Sequence, residues 1–317
     1  MTETRMTETR MTETRKRPAP LAPEPAATAA TRRQPWSRER VEIAIFGTLK
    51  WVGVVFFVLI TAIPFYYMAL LSFRSISEVL VNPGSLVVSL KEISLSAYRA
   101  VGDVGFLRFM RNSLLIALGT VALTLAASIP GAYAISRLRF FGRRQVNALF
   151  LAVYLFPAIV LAIPLFVLFT WLGLRGSLFG LALVYVSQTV PVSIYMLRNY
   201  FETVPKSLEE AAATEGAGRL EVIRRISLPL ARPAIMATSL FVFMIAWNEF
   251  LFALLFLLDK PGVWTVSLGL SQLSGGIETP KTVLMAGAVV LTLPIIVLFF
   301  LTERLLVEGL TSGAEKG

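Results

Sequence analysis

The chain has 317 residues, 56% of them hydrophobic and 16% charged, with a mean hydropathy of +0.70. Soluble globular domains carry about 25% charged residues, so this composition excludes one and points to a membrane protein. It holds no Cys and no His, which removes disulfides, thiolate chemistry, Cys/His zinc sites and Ser-His or Cys-His nucleophiles, and the net charge of +10 lies beside apolar spans, where it serves a lipid bilayer rather than nucleic acid.

Residues 1–42 read as a basic cytoplasmic tail. Met-Thr-Glu-Thr-Arg occurs three times, placing Met1, Met6 and Met11 as alternative starts, and a Pro/Ala-rich stretch follows to Arg32 and Arg33. Such a composition buries too little apolar surface to order itself, and the tail is too long and polar for a cleavable signal peptide. Residues 43–317 form the second domain. About 20 apolar residues cross a bilayer, and runs of that length predict six helices near 48–72, 113–136, 146–172, 179–197, 234–258 and 283–302. A turn at Leu174-Arg175-Gly176 makes the third and fourth a hairpin. Pro64, Pro130, Pro157, Pro164, Pro191 and Pro294 fall inside spans, where they kink helices and free carbonyls that neighbours must satisfy.

Orientation follows from Lys and Arg. The N-terminal tail, the loop Arg137–Arg144, the segment 198–233 and the C-terminus together carry 22 of them, against 8 on the opposite side. Both termini are therefore expected in the cytoplasm. Arg108 and Arg111, with Phe106, Leu107, Phe109 and Met110, suggest an amphipathic interfacial helix on the outside.

One polar island, residues 201–233, interrupts the apolar pattern on the cytoplasmic side. Ser207 and Glu210 have capping-box spacing, Ala211, Ala212 and Ala213 favour helix, and Gly216 supplies a left-handed stop. A second helix is expected through Leu220, Val222, Ile223 and Ile226 until Pro229 ends it. Its small side chains let a partner approach the backbone closely.

Glu210-Ala211-Ala212, then Gly216-Ala217, then Ile226-Ser227-Leu228-Pro229-Leu230 resembles the EAA loop of ABC importer permeases. The resemblance implies an all-α integral membrane protein with six transmembrane helices and a cytoplasmic coupling helix, the type I importer fold. It also implies that Glu210, Ala211, Ala212, Glu215, Gly216, Ala217 and Pro229 contact an ATP-binding subunit; Glu215 stands where the family usually has Asp. Ala246-Trp247-Asn248-Glu249-Phe250 and the ending Gly309–Gly317 resemble the second permease of maltose-type carbohydrate importers. From that, Gly313, Lys316 and Gly317 are expected to reach the ATPase. Trp247, Asn248 and Glu249, with Gln188, are candidates for the translocation path, because polar groups inside a membrane face the bundle interior or a cavity. A polar clamp between helices remains the other reading of Asn248, Glu249 and Gln188, with Glu249 facing a basic group.

No Gly-x-x-x-x-Gly-Lys-[Ser/Thr] occurs in the chain, so ATP and Mg are expected on partner subunits and no cofactor, metal or enzymatic activity on this one. The partners implied are two ATP-binding subunits, a second permease in a heterodimer and an extracytoplasmic solute-binding protein, in a bacterial or archaeal inner membrane. The rivals are a secondary transporter or channel acting alone, a permease for a non-sugar solute, and a membrane-embedded enzyme.

Overall fold

The computed structural model describes residues 38–89, 92–275 and 279–314, and every regular element among them is helical. Residues 1–37 of the expected tail lie outside the described residues. Helix α1 (Arg38–Ser72) begins inside the segment expected to be tail. Contacts divide the chain into two compact units, 1–58 and 59–317. Within the first, Phe46, Trp51 and Phe57 of α1 are all exposed. That suits a surface solvated by lipid, where apolar side chains need no protein cover.

The second unit continues through two short helices, α2 (Ile76–Val81) and α3 (Ser96–Asp103), into α4 (Phe106–Arg137). The expected interfacial helix is instead the first turns of α4. Phe106 and Phe109 are buried, and only Leu107, Arg108 and Arg111 face outward. The third expected span is broken. Helices α5 (Arg143–Leu155) and α6 (Ala158–Trp171) meet at 96°. Pro157 caps α6 with extended backbone, as its missing N–H and fixed φ favour a helix start over a helix interior. The other five prolines stay inside helices.

After the expected hairpin comes α7 (Leu178–Thr203), then the island: α8 (Lys206–Thr214), α9 (Arg219–Val222), a π-helical turn at Ile223–Ser227 and α10 (Leu228–Leu230). Pro229 does not end this stretch. The chain turns at Ala231 and enters α11 (Arg232–Asn248) at 73° to the preceding helical run. The fifth expected span is also in two pieces, since α11 stops at Asn248 and α12 (Leu251–Leu257) starts anew. Then follow α13 (Val266–Gly275) and α14 (Lys281–Ala314). Among the described residues four helices are long and apolar enough to cross a membrane, and up to six spans result if each bent pair is one span.

Helices α4 and α7 form the most extensive pairing of the unit. They approach closely because their facing residues are small. A Cβ on Gly131 would sit 3.3 Å from Ile194, and Thr124 and Thr189 share a hydrogen bond of 2.8 Å. In lipid such packing and hydroxyl pairing, rather than a hydrophobic driving force, hold helices together. One core cluster holds Phe106, Tyr185, Trp247 and Phe256. A second, with Ala132, Tyr133, Leu197, Phe201 and Ala231, lies under the island. Tyr133 meets Phe201 edge to face at 5.9 Å, which fixes the two helix ends that carry α8.

Candidate coupling site on a short exposed helix

Helix α8 starts at Pro205, whose backbone is extended at φ −59° and ψ 126°. No side chain caps it, so the expected capping box does not form: Ser207 is the second helical residue and is exposed, as is Glu210. The alanines extend the helix as their propensity predicts. Its end is a Schellman motif: Ala217 N–H donates to Ala212 O at 3.0 Å and Gly216 N–H to Ala213 O at 3.1 Å. Gly216 has φ +92°, and a Cβ there would meet nothing within 4 Å. The demand for glycine is therefore conformational and not steric, about 1–2 kcal/mol for any other residue.

Glu210, Ala211, Glu215 and Gly216 are exposed, with Ala212 and Ala217 half-buried. All of these but Ala211 line one or both of two neighbouring clefts. One, of about 390 Å³, takes Glu210, Ala213 and Ala217 together with Lys206, Arg137 and Arg219. The other, of about 360 Å³, takes Ala212, Glu215, Gly216 and Ala217 with Glu221 and Arg225. Pro229 borders neither; it is half-buried in α10. Leu208 and Leu220 stand 46% and 67% exposed near the clefts, an apolar component absent from the sequence expectation.

Beneath this face lies a residue that sequence reasoning passed over. Glu209 accepts from Arg137 Nε at 3.0 Å, from Tyr133 Oη at 3.2 Å and from Ser227 Oγ at 3.0 Å. The Arg137 and Glu209 side chains are 5% and 13% exposed. Arg137 also donates to Val204 O at 2.8 Å, while its Nη1 is buried with no partner among the described residues. Arg137 had entered the sequence reading only as one of the loop cations. Its partners lie 72 and 67 positions away, beyond any local pattern.

The translocation-path candidates separate in space. Trp247 is 1% exposed, stacked on Phe243 at 5.4 Å, and donates from Nε1 to Leu291 O at 3.2 Å. It packs in the core of this chain. Asn248 is exposed and its amide returns to Met244 O at 2.9 Å. Gln188 keeps a buried Nε2 without a partner among the described residues.

Among the described residues, no basic group pairs with Glu249. Its carboxylate accepts from Tyr185 Oη at 2.6 Å and from the N–H groups of Phe252 at 2.8 Å and Ala253 at 3.1 Å. Two of the otherwise orphaned donors of α12 are thereby satisfied, as an N-terminal cap requires. Of the C-terminal residues, Gly313 falls within α14, while Lys316 and Gly317 lie outside the described residues.

The match to known proteins follows the same residues. A family model described as "binding-protein-dependent transport system inner membrane component" covers residues 124–311. The inner membrane ABC transporter permease protein YcjP of Escherichia coli K12 is 36% identical over 273 residues, 84% of this chain and 95% of that protein. The trehalose/maltose transport system permease protein MalG of Thermococcus litoralis is 36% identical over 270 residues, with the same coverage of both chains. A chain from the crystal structure of a bacterial ABC transporter involved in the import of the acidic polysaccharide alginate superposes with a TM-score of 0.70 at 26% identity, covering 83% of this chain and 97% of its own. More than half of the sequence, both clefts and the Gly216 stop included, thus falls within one family match, and the chain belongs to the binding-protein-dependent transport system inner membrane components, the permeases of ABC importers.

Proposed function

We propose that this permease moves a sugar across a bacterial or archaeal inner membrane, with α8 as the coupling helix that docks into an ATP-binding subunit. The observation that carries the reading is the exposed face of α8. A rigid, Schellman-terminated helix presents acidic and alanine side chains between two clefts, at the end of a bundle with no phosphate-binding loop of its own. Two ATP-binding subunits, a second permease and an external solute-binding protein complete the assembly. The Lys/Arg asymmetry supports a cytoplasmic position for α8 and both termini, and Gly313, Lys316 and Gly317 extend the contact with the ATPase.

Closure of the ATP-binding subunits moves α8, and the bundle passes between inward- and outward-open states. The nucleotide shifts that equilibrium only through contacts that differ between the two states. The sugar assignment is supported by the trehalose/maltose permease and the alginate importer among the similar proteins. Asn248 and Gln188 remain the polar candidates of this chain for the solute path. A lone ion-coupled transporter would need an uncommitted membrane carboxylate, and Glu249 is occupied with capping α12.

Gly216→Trp tests the docking. The Cβ of the new side chain enters open space, and the positive φ of Gly216 adds a local conformational cost of about 1–2 kcal/mol. Sugar uptake in proteoliposomes should fall more than about tenfold, and the ATP-binding subunit should no longer co-purify. Full uptake with intact co-purification would rule out α8 as the coupling element.

A further inference from the structure

We propose that Glu209 is the positioning residue that transmits motion from α8 into the bundle, an inference that rests on α8 being the coupling helix. Helix α8 has little else to hold it. Its ends are joined to α7 and α9 by short turns, its outer face is exposed, and none of its residues is fully buried. Among the described residues Glu209 is the α8 side chain that hydrogen-bonds outside its helix, and it touches two separate elements: Arg137 and Tyr133 at the end of α4, and Ser227 in the π-helical turn that leads to α11.

The carboxylate has the chemistry for this. Arg137 is also fixed to Val204 O at the end of α7, so one ion pair joins α4, α7 and α8. Charge-assisted hydrogen bonds are the strong, directional kind. Ser227 brings in the fourth element. It sits in the π turn just before the 73° bend into α11, and single π turns inside α-helices frequently mark functional sites. A displacement of α8 therefore reaches α4 and α11 through one side chain, as well as along the backbone. Glu210, one residue on, faces out and belongs to docking; Glu209 faces in and belongs to transmission.

The test uses the complete importer, reconstituted with its ATP-binding subunits and binding protein. Glu209→Gln removes the charge at nearly constant shape. The variant should co-purify ATP-binding subunits at the wild-type ratio and hydrolyse ATP within about twofold of wild type. Uptake per ATP hydrolysed should drop at least about fivefold. Glu210→Gln should do the reverse, losing ATP-binding subunit while the complex that remains keeps its uptake per ATP. Unchanged uptake per ATP in Glu209→Gln overturns the proposal, as does loss of the ATP-binding subunit from that variant.

Should Glu209→Gln fail to accumulate as folded protein, Tyr133→Phe and Ser227→Ala each delete one hydrogen bond and leave the ion pair. Both should lower uptake per ATP by a smaller step, and wild-type ratios in both would overturn the proposal. If the unaltered chain captures no ATP-binding subunit, the docking role of α8 fails first; capture with wild-type behaviour of every variant sinks transmission alone.

Discussion

Two glutamates, one on α8 and one just after α11, put the same functional group to different use. Glu209, on the preceding island, faces a guanidinium and ties together elements far apart in the chain. Glu249, where α11 gives way to α12, pairs with no cation among the described residues; a phenol and two backbone amides hold it, and it starts a helix. The first side chain connects bodies, while the second breaks a membrane span and satisfies the donors that the break exposes. Partner identity, not residue type or apolar surroundings, separates a tether from a cap.

Arg137→Ala should disturb this contrast most. It leaves the Glu209 carboxylate, 13% exposed, without its cation and held only by Tyr133 and Ser227, at a cost of about 3 kcal/mol in thermal unfolding of the purified protein. A loss below about 1 kcal/mol would mean that water reaches the carboxylate and the tether is not a buried pair. Glu249→Ala comes next. It strands two amides and the Tyr185 hydroxyl, for about 2 kcal/mol. If Glu249 instead carried a coupling ion, uptake would vanish at unchanged stability. Tyr185→Phe removes one of those three bonds and should cost about 1 kcal/mol by the same measurement. Ser207→Ala should be smallest, within about 0.5 kcal/mol, because Ser207 caps nothing; a genuine cap would register about 1 kcal/mol.

Much of the architecture was legible in the residues. Apolar runs located the membrane helices, and the alanines with Gly216 located α8 and its stop. Local signals failed where tertiary partners decide. Ser207 and Glu210 have the spacing of a capping box, yet extended Pro205 begins the helix a residue before Ser207. Pro229 was expected to end a helix, but the helical run continues through it to Leu230 and the turn falls at Ala231. The break at Glu249 carries no Gly or Pro. There the Glu249 carboxylate caps α12 and accepts from the hydroxyl of Tyr185, 64 positions upstream. Glu209 was invisible for the same reason, since its partners stand 72, 76 and 18 positions away.

The Schellman stop at Gly216 also sets a length. Nine helical residues make a rod of about 13 Å. That is short enough to behave as a stiff strut, whose outer end cannot tilt without turning its root. Adding a helical turn before Gly216 would give a longer lever arm, so stroke and force at the membrane would trade against each other while every docking side chain kept its chemistry.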